Sequence, residues 1–199
     1  MRSLMTGLGR LRAAMARHSV GDSGPRMRCL AMALVLLALP SLGTAADFVY
    51  RPVGLKVYQA DDVIRARVPG GPSQLGAYVH GISHTLRDVL TQGAAGPGFG
   101  AAVLVVVMPG QQSRKWILTP AQLPSDLMDR IQQAVDKLAA PLVQNGPVAF
   151  AVQFEAWGGG PLPSATAPEL PTPVAWLRAL GAQARYPMQD ADLAKVWGQ

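Results

Sequence analysis

The sequence predicts an α+β domain with a helix–β-hairpin–helix–strand core, its small antiparallel sheet carrying helices on one face. Three observations predict it. Residues 101–108 (AAVLVVVM) form a continuous apolar run with three consecutive valines, too short and too β-branched for a helix. A Pro109-Gly110 turn signal follows, and residues 113–118 (SRKWIL) read as the returning hairpin strand. Helical spacings of three and four flank this hairpin on both sides.

Taken in order, residues 47–58 (DFVYRPVGLKVY) read as extended chain interrupted by Pro52 and Gly54. They open an N-terminal segment, 47–73, that closes on the loop VPGGPS at 68–73. The core domain occupies 74–157. Its first helix, 74–91, repeats Leu75, Val79, Ile82, Leu86, Val89 and Leu90, and the glycine-rich run 93–100 ends it. The strand 101–108 is central and needs cover on both faces. Helices supply one cover; the N-terminal segment, the tryptophan-bearing tail or another subunit must supply the second. A second helix opens after Pro124, with Ser125 as N-cap, Asp126 near the positive end of the dipole, and Leu127, Ile131, Val135 and Leu138 as its stripe. In residues 148–157, Val148, Phe150, Val152, Phe154 and Ala156 alternate with Ala149, Ala151, Gln153 and Glu155, the period of a strand with one buried face. Residues 158–173 hold eight Gly or Pro in sixteen and read as a linker. The tail, 174–199, contains a short helix through Trp176, Leu177 and Leu180, and its last residues are weakly patterned.

Residues 1–46 read as an N-terminal extension and a secretory signal peptide. Arg26 and Arg28 form the positive region, Leu30 to Leu39 the apolar one, and Pro40 precedes a small-residue stretch ending at Ala45 and Ala46. Met27 is an alternative start. The rival reading is a retained anchor, but residues 30–46 span only 17 positions and include Pro40, Ser41, Gly43 and Thr44; a bilayer asks for about 20 apolar residues. Cleavage leaves no membrane span. The expected location is the periplasm of a Gram-negative bacterium.

That leader reshapes the charge. The chain is formally +6, yet residues 1–46 hold six Arg against one Asp, and the remainder has twelve Lys and Arg against eleven Asp and Glu. The mature part lacks the basic density that phosphate binding requires, which excludes a nucleic-acid partner. Cys29 is the only cysteine, ahead of the apolar region. The secreted form therefore holds together without a disulfide, on a hydrophobic core alone.

The order of elements across 74–157 resembles the C-terminal periplasmic domain of the TolA and TonB energy transducers. The echoes are Tyr78-Val79-xx-Ile82-xxx-Leu86 and Val103-Leu104-Val105-Val106 before the Pro-Gly turn. Ala139-Ala140-Pro141, then Gly146-Pro147-Val148-Ala149-Phe150, leads from the second helix into the last strand. The resemblance covers about 85 residues by element order and texture. It implies an envelope interaction module whose last strand lies at a sheet edge. Those transducers retain an N-terminal membrane helix and a long periplasm-spanning segment, where this chain is expected to have a cleavable leader and only the segment 47–73 before its first helix.

Three sets of residues are candidates for function. The strand carrying Val148, Phe150, Ala151, Val152, Gln153 and Glu155 would present its backbone to an envelope protein or an extended peptide; a free edge also admits self-association. Arg114, Lys115 and Trp116 could anchor a partner, although a core tryptophan with solvated neighbours is the blander reading. His80, His84 and Asp88, four residues apart on one helix stripe, could share a zinc or copper ion or serve a periplasmic hydrolase, but a solvated polar stripe is the blander reading and the one favoured. Gly81 stands where a zinc hydrolase helix needs glutamate, and neither a nucleophile elbow nor a phosphate loop is present. The sequence therefore predicts a non-catalytic interaction module needing no cofactor, with the hydrolase or metal-binding protein as alternative.

Overall fold

A computed structural model describes residues 48–163, 170–181 and 186–198, all within the unit Gly43–Gln199. The expected leader and its cleavage point lie outside the described residues. In chain order the elements are β1 (Tyr50–Val57), α1 (Asp61–Arg67), α2 (Gly71–Gln92), β2 (Phe99–Met108) and β3 (Gln112–Leu118). There follow α3 (Ser125–Asp136), β4 (Val148–Ala156), α4 (Val174–Leu180) and α5 (Asp190–Trp197). The fold is α+β, with four antiparallel strands in the order β1-β4-β2-β3.

Period two divides the two inner strands between two cores. Val103, Val105 and Val107 of β2, with Phe150, Val152 and Phe154 of β4, face α2 and α3. Leu75, Tyr78, Ile82, Leu86 and Leu90 of α2 meet them at spacings of three and four, as do Leu127, Ile131 and Val135 of α3. Leu104, Val106, Ala149 and Ala151 point the other way, against Trp176 and Leu180 of α4 and Leu193 and Val196 of α5. Tyr58 and Trp116 close this second core, both edge-on to Trp176 with ring centroids at 5.7 and 5.3 Å.

The helices thus cover both faces, not one. Among the covers that β2 needed on its second side, the tryptophan-bearing tail provides it. Residues 174–181 and 186–198 are part of the domain: Trp176, fully buried, supplies the apolar bulk opposite Leu104 and Ala151. The described ends of the stretch read as a linker are also engaged. Pro171 accepts a hydrogen bond from the Tyr58 hydroxyl, and Leu170 packs on the second core. Residues 158–161 lie across the start of β2, where a Cβ on Gly98 or Gly100 would stand 2.3 Å from the Gly159 carbonyl and 2.5 Å from that of Pro161. That crossing, beyond chain flexibility, gives the glycines at 98 and 100 their purpose.

Two helices escape the sequence pattern. The helix α1 buries only Ile64, too little to register as a stripe. The helix α5 is announced by polar residues instead: Gln189 and Asp192 form a reciprocal capping box, and Asp190 lies in the first turn. Arg67 at the end of α1 clamps Asp190 with bonds of 2.6 and 2.8 Å and donates to the Pro147 carbonyl at 2.8 Å. Ser125 is not the N-cap of α3; Pro124 is, with no side-chain cap, because the serine already has entered the first turn.

Candidate functional site

Every residue of β4 through Phe154 is buried, and the strand lies between β1 and β2. Val148, Phe150, Ala151, Val152, Gln153 and Glu155 therefore do not form an edge. Tyr50 to Val57 pairs with that flank of β4 in antiparallel register, Tyr50 opposite Ala156 and Val57 opposite Phe150, so its backbone bonds are already used. Glu155 is occupied as well, by an ion pair with Arg51.

The two edges are β1 and β3. Val49 accepts from the Trp157 amide, so by alternation Pro52 turns its donorless nitrogen outward. A bulge lies between Pro52 and Gly54, and Arg51 and Lys56 add charge. Proline, bulge and cations are the devices that blunt a sheet edge against pairing. The strand β3 has none of its own backbone broken this way: it holds register with β2 from Gln112 to Leu118 without a shift.

Gln132 of α3 donates its side-chain amide to the Lys115 carbonyl at 3.2 Å, so that carbonyl points away from β2. By alternation the backbone groups of Ser113 and Ile117 point the same way. A polar cleft of about 400 Å³ opens here, lined by Ser113, Arg114, Lys115, Trp116, Gln132 and Asp136.

The triplet Arg114, Lys115 and Trp116 lines this cleft together, but its side chains divide between the two sheet faces, since neighbouring strand residues take opposite faces. Arg114 and Trp116 turn to the second core, Trp116 against Trp176 and Arg114 over the Trp197 ring at 5.6 Å while donating to the Trp197 carbonyl. Lys115 turns to the α3 side and is only 8% exposed. Its ammonium donates to Ser113 Oγ at 3.0 Å and to the Leu138 carbonyl at 3.3 Å, just beyond α3. Burial lowers its pKa from the usual lysine value, against an opposing pull from Asp136. The Tyr78 hydroxyl, buried behind Ser113, has no partner of normal hydrogen-bond geometry, and burial pushes its pKa up to about 12.

His80, His84 and Asp88 are all exposed on the outer face of α2. His84 Nδ1 and Asp88 Oδ2 pair at 3.0 Å. Among the described residues no group of three or more His, Cys, Asp or Glu is placed to hold a metal ion, so the stripe does not assemble a donor set. The buried faces of α2 are apolar, which leaves these three to water. Among the described residues no helix is long and apolar enough to cross a membrane.

Comparison with family models, with curated proteins and with solved structures finds no match. What the described residues show is an antiparallel sheet between two helical layers, with one edge, β3, free of proline and bulge. Gln132, Ser113 and Asp136 join that edge without any sequence pattern to mark them, since their meeting depends on how α3 packs beside β3.

Proposed function

We propose that the chain is a non-catalytic protein-interaction module that takes up an extended peptide segment as an added strand on β3. The observation that carries this reading is the outward row of backbone groups at Ser113, Lys115 and Ile117, unbroken by proline or bulge, beside an open cleft. Such a row pairs with any extended chain, through backbone hydrogen bonds for affinity and flanking pockets for selectivity. Gln132 holds one outward carbonyl in the absence of a partner, as a side chain that can swing aside.

The reading places the module in a Gram-negative periplasm, delivered by the leader-like residues 27–46, with an envelope protein as the source of the segment. Support for a TolA- or TonB-like relation is the run α2-β2-β3-α3-β4, in the order the sequence led us to expect. The strand β1 and the layer α4–α5 are additions to that pattern.

The test is an NMR titration of the isotope-labelled protein with an end-blocked Thr/Val heptapeptide. Shift changes should concentrate on β3 and α3. Ile117→Pro removes an outward N–H that β2 does not use and should abolish them, while Ile117→Ala, which keeps the N–H, retains them. Shifts on β1 instead, or equal loss in both variants, would refute the assignment of the edge.

A further inference from the structure

We propose that the segment added to β3 carries a single carboxylate, which meets the Lys115 ammonium. This deepens the strand-addition reading and rests on it.

The case begins with what is odd about Lys115. Its neighbours on the same sheet face are Val103, Val105, Val107 and Ile117, and an apolar side chain would pack there without a desolvation penalty. The ammonium has three donors and gives two of them to neutral oxygens, Ser113 Oγ and the Leu138 carbonyl. Among the described residues it has no carboxylate within 4.0 Å; the ion pairs there belong to Arg51, Arg67, His84 and Lys195. Asp136 lines the same cleft but is exposed and takes the Gln132 side-chain amide at 2.9 Å. The result is a buried cation with no carboxylate in ion-pair contact among the described residues, Asp136 acting on it only at longer range, and it opens on a cleft.

An added antiparallel strand puts the Cβ of its residue facing Lys115 within about 4.5–5.5 Å of the lysine Cβ. An Asp or Glu at that position, or a chain-terminal carboxylate, reaches the third donor. Asp136 on the outer wall repels further acids, so one carboxylate, not an acidic run, matches the cleft. Arg114 also lines the cleft, but its guanidinium sits over the Trp197 ring and donates to the Trp197 carbonyl, on the sheet face opposite to Lys115.

The experiment uses two fluorescein-labelled, C-terminally amidated heptapeptides, Thr-Val-Thr-Glu-Thr-Val-Thr and its Gln counterpart, read by fluorescence anisotropy. The proteins are the full chain, Lys115→Met and Lys137→Met, the last an equal charge change on an exposed lysine outside the cleft. The Glu peptide should bind about tenfold tighter than the Gln peptide, the gain of one charge-assisted hydrogen bond. The gap should close in Lys115→Met and persist in Lys137→Met. Equal binding of both peptides overturns the carboxylate and leaves strand addition standing. A gap that survives in Lys115→Met places the carboxylate elsewhere and also overturns it. Binding of neither peptide overturns strand addition itself. Sedimentation velocity on the same samples covers the remaining occupant: a dimer lost in Ile117→Pro assigns the edge to a second copy and overturns the proposal.

Discussion

Lys115 and Trp116 are adjacent in the chain, and the sheet sends one to α3 and the other to Trp176. A sequence shows the neighbours but not which of the two faces is the closed one. The blander sequence reading of Trp116 is the one the packing favours, whereas the buried residue beside it is a lysine, which that reading had facing water. Burial of titratable side chains also sets a pH response. Tyr58 donates to the Pro171 carbonyl inside the second core, and its pKa is raised by desolvation; those of Tyr50 and Tyr78 rise for the same cause, Tyr78 to about 12. An unfolded tyrosine ionises near pH 10. Above that point the unfolded chain sheds protons that the folded chain keeps, so stability falls as pH rises. Lys115 acts with the opposite sign below about pH 10.4: its folded pKa is depressed, so stability grows between that value and the unfolded one and is level above it. Melting curves from pH 8 to 11.5 should therefore show a plateau or slight rise, then a decline past about pH 10. Tyr78→Phe should lessen the decline by up to about 1.4 kcal/mol per pH unit. An unchanged slope in that variant would mean Tyr78 is more hydrated than its burial implies.

At the scale of elements, long apolar periodicity was enough to locate α2, β2, β3, α3 and β4 within a few residues. Tertiary pairing decided what it could not. Residues 148–156 alternate like a strand with one wet face, yet Ala149 and Ala151 are as buried as Phe150, because small apolar residues pass for either environment. The edge assignment failed for a related reason: β1 pairs with β4 across about a hundred residues of chain, and no local pattern encodes that. Two substitutions probe the layers. Val106→Asp sets an unpaired charge against Trp176 and Leu193, several kcal/mol of desolvation on the order of the whole stability, and should prevent folding. Trp176→Ala should cost about 3–5 kcal/mol by emptying the space between Tyr58 and Trp116. Chemical denaturation measures both. A loss below about 1 kcal/mol for Trp176→Ala would detach α4 from the core.

For the molecule as a whole, the fold class was legible because composition and period specify layers, and the second helical layer was not, because its signal is a tryptophan and a capping box instead of a stripe. Between these layers the sheet has one edge dulled by Pro52 and a bulge and another left regular beside a cleft. The proposed strand docking belongs to that regular edge. Amide hydrogen exchange, resolved by residue in the free protein, tests the claim most directly. Fast exchange is expected at Ser113, Lys115 and Ile117, slow exchange at Arg114, Trp116 and Leu118, and uniform protection along Val148–Ala156. Protection at all six β3 amides equal to that of β4 would mean the edge is already covered, and the module would have no strand-docking surface there.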